Sequence, residues 1–544
     1  MSLCLLNSLP VELIHHLLEY FHSYEIIQSF FNVNEHLNRI VINYDRYIWD
    51  FRGILKCQFD LVCQFLQPNR VIYLRLCDDD ETPEQCHIFF SRFHIEQFVN
   101  LRSLEIISHR KNIEPYLTDL SKLSRLSSII LSLTHRITSI VSIQRVFPQL
   151  HRLIIDSPEF LNIKMPELRY LKLTKYERAP FSYLSSNLMP NLHSLDITLS
   201  LSSILSTMNS DLIWFQIKRL FLKTTDSDIS FSMSQFLCKL INLKHLEIDV
   251  QKATNVPDGQ QWESLVSHLI RFDFRFTIYN QKLDNDTLEK YLKSFCSSFW
   301  LEEKRWFVGY YKNLSSDSFF TLPRFVPTSI DTSSVYQPLS TSSNFSFDQY
   351  IRCITILQSF SYYDRFNELT SLIFGGKFDF NSKSQFFLKD LLQRLPHVHS
   401  LSLQNSQSTL YILNNSILNQ IRSLTIRHTS CRSQFQLSIE PKKWCDVFPR
   451  VERLFVSIDM TRDMFIFIDE LKYLSIATFE INDWGKSRDW SNESTREWIR
   501  KSSQRLRKDP NFTLLYSNEE IHFWMNEQQI IEYQSSRISW CSLL

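Results

Sequence analysis

The sequence predicts an α/β chain: a three-helix N-terminal module, then strand–loop–helix–return units stacked as an irregular solenoid. The solenoid would have a curved parallel sheet, with helices on its convex side. Two observations predict it. The first is the pattern h-x-x-h-x-h (h apolar), found at Val71–Leu76, Leu101–Ile106, Leu150–Ile155, Leu168–Leu173, Leu192–Ile197, Ile217–Leu222, Leu243–Ile248 and Leu269–Phe274. It returns at Leu369–Phe374, Val398–Leu403, Ile421–Ile426, Val451–Val456 and Leu471–Ile476. In each, the last two apolar residues stand two apart, the period of a strand that buries one face. A unit this small cannot bury its own apolar face, so recurrence every ~20–30 residues argues for stacking. The second is what lies between the units: amphipathic stretches at Ile113–Leu123, Ser230–Leu240, Asp258–Leu269, Asp286–Phe295 and Ser382–Leu395. An open doubly wound sheet would also alternate strands with helices. It has no reason to keep the leading apolar residue three positions before the pair.

The N-terminal module comes first in chain order. Pro10 suits the first turn of a helix, where its missing N–H costs nothing, and Glu12 suits the positive end of the dipole. Leu13, Ile14, Leu17 and Leu18 form one apolar stripe. Ile26, Ile27, Phe30 and Phe31 mark a second short helix, and Val33, Leu37, Ile40 and Val41 a third, with Trp49 beyond. So much apolar surface on a module this small calls for docking or capping.

Leu9-Pro10-Val11-Glu12-Leu13-Ile14, Leu17-Leu18-Glu19-Tyr20-Phe21, Glu25-Ile26-Ile27, Phe30 and Asn34…Leu37-Asn38-Arg39 resemble the F-box. That is the helical motif by which substrate receptors of cullin-RING ubiquitin ligases hold a Skp-type adaptor. The resemblance implies that Leu9, Pro10, Leu13, Ile14, Leu17, Ile26, Ile27 and Phe30 meet the adaptor, and through it a cullin. The chain as a whole resembles F-box proteins with divergent leucine-rich repeats. It departs from that family in having no asparagine ladder: His109, Pro158 and Ser200 stand three residues past the last apolar position. The alternative for the helices is a polar cover over the first repeat.

Residues 1–50 are therefore expected to form the F-box-like module and 51–300 a first repeat run. A strand pair and a Ser/Thr/Pro-rich insertion are expected over 301–365, its stretch 329–346 an exposed loop. A second repeat run with a C-terminal cap follows over 366–544. Phe51–Gln67 reads as a bridging helix. The acidic run Asp78-Asp79-Asp80-Glu81 lacks the alternating spacing and the glycine of a Ca²⁺ loop, so it reads as solvated or facing a basic partner surface. The basic stretch Arg496, Arg500, Lys501, Arg505, Arg507 and Lys508 reads as a capping helix.

Composition narrows the function classes. The formal net charge of +1 gives no global field for nucleic acid or an anionic membrane. Only 6 glycines in 544 residues argue against phosphate-cradling loops and against catalytic loops that need left-handed backbone. The odd total of 11 scattered cysteines is no disulfide framework. No apolar run is long enough to span a bilayer, and the first residues do not read as a secretory signal. A cytoplasmic or nuclear protein is expected. No H-E-x-x-H, metal-ligand cysteine spacing, nucleophile elbow or complete phosphate loop is present, so neither catalysis nor a cofactor is expected.

The functional expectation is a non-catalytic substrate receptor of a cullin-RING ubiquitin ligase. A protein-binding repeat scaffold with no ligase role is the alternative, and a hydrolase on a parallel sheet the third. Substrate contacts are expected from residues between the buried positions of the pattern: Arg102, Glu105, His151, Arg169, Lys172, His193, Asp196, Lys218, Lys244 and Glu247.

Overall fold

The computed structural model describes residues 8–526 apart from 22, 32, 109–115, 117–119, 134–146, 157–162, 175–187, 200–215, 225–235, 255–257, 280–282, 313–315, 332–337, 343, 357–365, 367, 375–389, 406–412, 414–416, 429–439, 482–492, 510–511 and 518–519. The chain is mixed α/β with sheets that are mainly parallel. The strands in order are β1 (Tyr47–Asp50), β2 (Val71–Asp78), β3 (Ser103–Ser108), β4 (Ser128–Leu133), β5 (Arg152–Ile155), β6 (Tyr170–Leu173), β7 (Ser194–Leu199) and β8 (Arg219–Thr224). They continue with β9 (His245–Val250), β10 (Arg271–Tyr279), β11 (Val308–Lys312), β12 (Ser316–Thr321), β13 (Ser329–Asp331), β14 (Leu339–Ser340) and β15 (Cys353–Ile356). The last are β16 (Ser371–Phe374), β17 (Ser400–Asn405), β18 (Ser423–His428), β19 (Arg453–Ile458), β20 (Ile476–Ile481), β21 (Thr513–Ser517) and β22 (Glu520–Trp524). Contacts group the chain into two compact units, Met1–Ile155 with Ser438–Leu544, and Asp156–Leu437.

In both units the parallel strands pair in sequence order, and one backbone device recurs along them. The carbonyl of the second pattern position accepts the amides of both the second and third positions of the next repeat. In the second unit, Arg169 O accepts from His193 and Ser194, His193 O from Lys218 and Arg219, and Lys218 O from Lys244 and His245, all at 2.8–3.0 Å. Lys244 O then accepts from Ile270 (2.9 Å) and Arg271 (3.1 Å). In the first unit, Arg102 O accepts from Ser127 and Ser128, and Glu452 O from Ser475 and Ile476. These shared carbonyls satisfy the amides that enter each strand, so no asparagine ladder is needed there. The pattern's apolar residues lie beneath. Leu192, Leu195 and Ile197, and Leu243, Leu246 and Ile248, are all essentially buried.

The first unit holds the three N-terminal helices, Val11–Leu18, Ser23–Phe30 and Glu35–Asn43. The Asn34 side chain caps the third by accepting from Leu37 N at 2.9 Å. Ser23 Oγ donates to Ile48 O at 2.5 Å, and the Tyr47 hydroxyl to Val41 O at 2.5 Å. Tyr47, Trp49 and Phe51 stack ring on ring along β1. The helices are thus fastened to the edge strand of the parallel set β1-β2-β3-β4-β5.

The same unit contains the end of the chain, where β22 pairs antiparallel with β20 and β21 with β22. Trp524 Nε1 donates to Ile54 O at 2.9 Å, its ring meets Phe59 at 5.0 Å, and Lys56 N donates to Ser475 Oγ at 3.2 Å. Arg453 binds Glu81 at 2.5 Å and donates to Gly53 O. Gly53 sits at φ +53°, a conformation that favours glycine, and an added Cβ would lie 3.1 Å from Arg453 Nη2. Asp80 lies 3.7 Å from His522, and Glu84 lies 3.9 Å from Arg496. The acidic run is thus solvated only in part: Glu81 pairs with Arg453 and Asp80 faces the buried His522 ring, while both carboxylates stay about half exposed. The basic stretch is likewise engaged: Arg505 is buried and donates to Ile468 O and Leu471 O at the end of the helix Thr461–Glu470, and Arg496 donates to Phe512 O.

Three details differ from the sequence reading. Repeats at Leu126–Leu131 and Ile351–Ile356, not expected, form β4 and β15 with Ile129, Leu131, Ile354 and Ile356 buried. The last repeat is shifted by three: Leu474, Ala477 and Phe479 fill the apolar positions, because Ser475 and Ile476 take the ladder bonds to Glu452. The stretch 329–346 contains β13, parallel to β15, and β14, antiparallel to β11. The expected strand pair, β11 and β12, extends its sheet edgewise by antiparallel pairing of β12 with β10. Of the expected helices, Gly259–Val266 and Asn285–Ser294 form, capped by Asp258 and Asp284. Most of 113–123, 230–235 and 382–389 lies outside the described residues.

His522 gives this unit a pH signature. It is buried, with Nδ1 3.0 Å from Thr478 Oγ1, and burial holds its pKa below the usual 6.5 against the opposing pull of Asp80 and Asp79. The unfolded chain takes up this proton as pH falls below about 6.5 while the folded chain resists it, so stability is lost on the acid side. Thermal melts between pH 7.5 and 5.5 should show a smaller loss for His522→Gln than for the parent. An equal loss would contradict this assignment.

Candidate functional site

Two surfaces stand out, one in each unit. On the first helix, Ile14 and Leu18 face the core, whereas Leu9, Pro10, Val11 and Leu13 are exposed, Leu13 by 53%. Tyr20 and Phe21 continue this uncovered apolar surface past the helix end. Leu17 is half-buried, and Ile26, Ile27 and Phe30 are buried. The eight expected adaptor contacts therefore divide. Leu9, Pro10 and Leu13 are available on the surface, and Leu17 partly so. Ile14, Ile26, Ile27 and Phe30 instead hold the helices together, because their side chains supply the module's own core.

The second surface is the outward face of β6–β10. Alternation places positions three, five and seven of each repeat on this face, opposite the buried leucines. Register aligns them across strands into rows. Tyr170, Ser194, Arg219, His245 and Arg271 form the first row. Lys172, Asp196, Phe221, Glu247 and Asp273 form the second, and Lys223, Asp249 and Arg275 belong to the third. With Arg324 and Phe325, which follow β12, the rows line a cleft of about 660 Å³.

The charges in the cleft are ordered. Each carboxylate has a nearby cation: Asp196 with Lys172 at 2.8 Å, Asp273 with Arg271 at 2.5 Å, Glu247 with Arg324 at 3.0 Å. Asp249 takes a two-pronged hold from Arg275, at 2.9 and 2.6 Å. Phe325 lies under both arginines, 5.3 Å from Arg275 and 6.0 Å from Arg324. Burial pushes the Glu247 carboxyl up, with Arg324 opposing. His245 is held below its usual value by burial and by the neighbouring Arg219, Arg271 and Lys244; His193 likewise by burial, Lys218 and Arg169.

Among the expected substrate contacts, Lys172, Asp196 and Glu247 line the cleft. Arg169, His193, Lys218 and Lys244 lie along its first-row edge, at the strand entries. Arg102 and His151 are exposed in the other unit. Glu105 needs correction. It is buried, accepts from the Tyr73 hydroxyl at 2.9 Å and pairs with Arg75, so it belongs to a polar network of the first unit rather than an open surface. Sequence reasoning missed Arg219, His245, Asp249, Arg271, Asp273 and Arg275. Their signal was available, since positions three and seven share a strand face with position five. Arg324 and Phe325 carried none, because only the antiparallel return of β12 brings them alongside.

Among the described residues, no group of three or more His, Cys, Asp or Glu could hold a metal ion, and no helix is long and apolar enough to cross a membrane. Neither the protein-family models nor the curated proteins contain a match to this chain.

The ion pairs separate structural from available charge. Asp249 is almost fully buried beside Arg275, so Arg275→Ala should cost about 3 kcal/mol in chemical denaturation by leaving that carboxylate uncompensated. Arg219→Ala, at an exposed site, should stay within about 0.5 kcal/mol. Equal effects would show that the pairing does not divide the cleft in this way.

Proposed function

We propose that the chain is a non-catalytic substrate receptor of a cullin-RING ubiquitin ligase, with the N-terminal helices as adaptor anchor and the polar face of β6–β10 as substrate surface. In this reading the sequence-ordered parallel strands are coils of an irregular leucine-rich repeat solenoid. The observation that carries it is the uncovered apolar face of the first helix. Leu9, Val11, Leu13 and Tyr20 lie in solvent next to Pro10, although Ile14 and Leu18 already give the helix a buried side. Exposed apolar groups clustered at one end of a module mark a surface that a partner covers. The receptor would act by position, holding substrate at high effective concentration near the loaded enzyme.

A second reading has its own support. The hydrogen bonds Ser23–Ile48 and Tyr47–Val41, and the burial of Ile26, Ile27 and Phe30, suit a cap on the first strand of a protein-binding scaffold with no ligase role. Full-length protein titrated with a Skp-type adaptor separates the two. The receptor reading expects sub-micromolar binding, weakened at least about tenfold by Leu9→Ala/Leu13→Ala. Both substitutions lie outside the buried side of the helix, so the thermal melt should be nearly unchanged. No binding by the folded parent protein would leave the cap reading.

A further inference from the structure

The entry edge of β6–β10 carries a band of bases. In positions two and three of five successive repeats stand Arg169 and Tyr170, His193 and Ser194, Lys218 and Arg219, Lys244 and His245, Ile270 and Arg271. No carboxylate occurs in these two rows. The carboxylates begin one row further in, and each has its own cation, Asp273 taking Arg271 from the end of the band itself. Arg169, Lys218, Arg219 and Lys244 are exposed and have no ion-pair partner among the described residues. Adjacent strands stand roughly 4.8 Å apart, so four steps carry the band over roughly 19 Å, the reach of about six extended residues. Phe221 in the second row, which lines the same cleft, adds an apolar ring next to the bases.

We propose that this band binds an extended acidic polypeptide segment. Its carboxylate or phosphoserine groups would lie along Arg169, Lys218, Arg219, Lys244 and His245, and an apolar side chain would rest against Phe221. The inference rests on the protein-receptor reading for its biological sense, but not on the adaptor contact. A polypeptide fits better than a nucleic acid strand. The row of Asp196, Glu247 and Asp273 beside the band would repel a continuous line of phosphates, whereas a peptide needs negative charge on one edge only. Burial and then the neighbouring cations hold His193 and His245 below the usual histidine range, and a bound anion would offset the second cause. Binding then takes up protons and tightens as pH falls through the histidine range.

Fluorescence anisotropy on the full chain tests this with four labelled probes. They are a nine-residue peptide of glutamate and serine around a central phenylalanine, its serine-phosphorylated form, its lysine-for-glutamate counterpart, and a ten-nucleotide oligothymidylate. One or both acidic peptides should bind, the carboxylate peptide more tightly at pH 6.0 than at 7.5, and the lysine peptide should not. Preference for the phosphorylated peptide assigns the anion as phosphate, and equal binding as carboxylate. Arg219→Glu/Lys244→Glu should weaken binding at least tenfold with an unchanged thermal melt, while Leu9→Ala/Leu13→Ala leaves it intact. The proposal is overturned if neither acidic peptide binds, if the charge-reversed protein folds and binds equally well, or if the oligothymidylate binds more tightly than the peptides. Adaptor binding measured on the same preparation separates the two claims. Peptide binding without adaptor binding removes only the ligase role, and the reverse removes only this inference.

Discussion

The shared carbonyl at the second position of each repeat is the interaction on which the strand order depends. One acceptor takes two amides from the following repeat, as at Arg169, His193, Lys218 and Lys244. This satisfies the backbone where the chain turns inward and sets the register of the next strand in the same stroke. A slip of one residue would lose both bonds and carry Leu220 and Leu222, or Leu246 and Ile248, from the core to solvent. The device itself is backbone to backbone, so arginine, histidine, lysine and glutamate can all occupy the second position, while the hydroxyls of Ser127 and Thr370 add a further donor to the shared carbonyls of Arg102 and Arg352, at 3.3 and 3.2 Å. The backbone does the holding, and the side chain is left available for binding.

That freedom connects packing to function. Fixed register turns the sequence positions of each repeat into straight rows across β6–β10, so a preference for bases at positions two and three becomes a band rather than scattered charges. Acids at positions five and seven become a parallel line beside it. The cations paired to that line, Lys172, Arg271, Arg275 and Arg324, hold the cleft's shape, while Arg169, Lys218, Arg219 and Lys244 along the entry edge have no such task. In the first unit the outward face is used differently. Tyr73, Arg75, Asp50 and Glu105 close on one another, and the same strand alternation yields a sealed network.

Much of this was legible in the sequence, and the misses have definite causes. Strand positions were readable because three apolar residues at fixed spacing recur, from Val71 to Val456. Leu126–Leu131 and Ile351–Ile356 carry the same spacing, Ile130 standing where Ile154 stands in Leu150–Ile155, so their strands were legible as well. Leu471 misled because it is itself apolar and lies three before Leu474, so the pattern fits in two registers and only hydrogen bonding chooses between them. Local reading also placed helices over Asp258–Leu269 and Asp286–Phe295, where Gly259–Val266 and Asn285–Ser294 form, though it named neither the Asn34 nor the Asp284 cap. It missed the partners of Asp80, Glu81 and Glu84, because they come from Arg453, Arg496 and His522, hundreds of residues away. The burial of Ile14, Ile26, Ile27 and Phe30 was hidden for a related reason. An amphipathic helix shows that it has an apolar face, but not whether its own module or a partner covers it.

Hydrogen–deuterium exchange on the intact chain tests the shared-carbonyl ladder most directly. The amides of Ser194, Arg219, His245 and Arg271 should exchange as slowly as those of the strand interiors that follow them, since each is bonded to the preceding repeat. If these amides exchange as fast as open loops while the strand interiors stay protected, the ladder does not hold successive repeats together, and the rows built on it lose their basis.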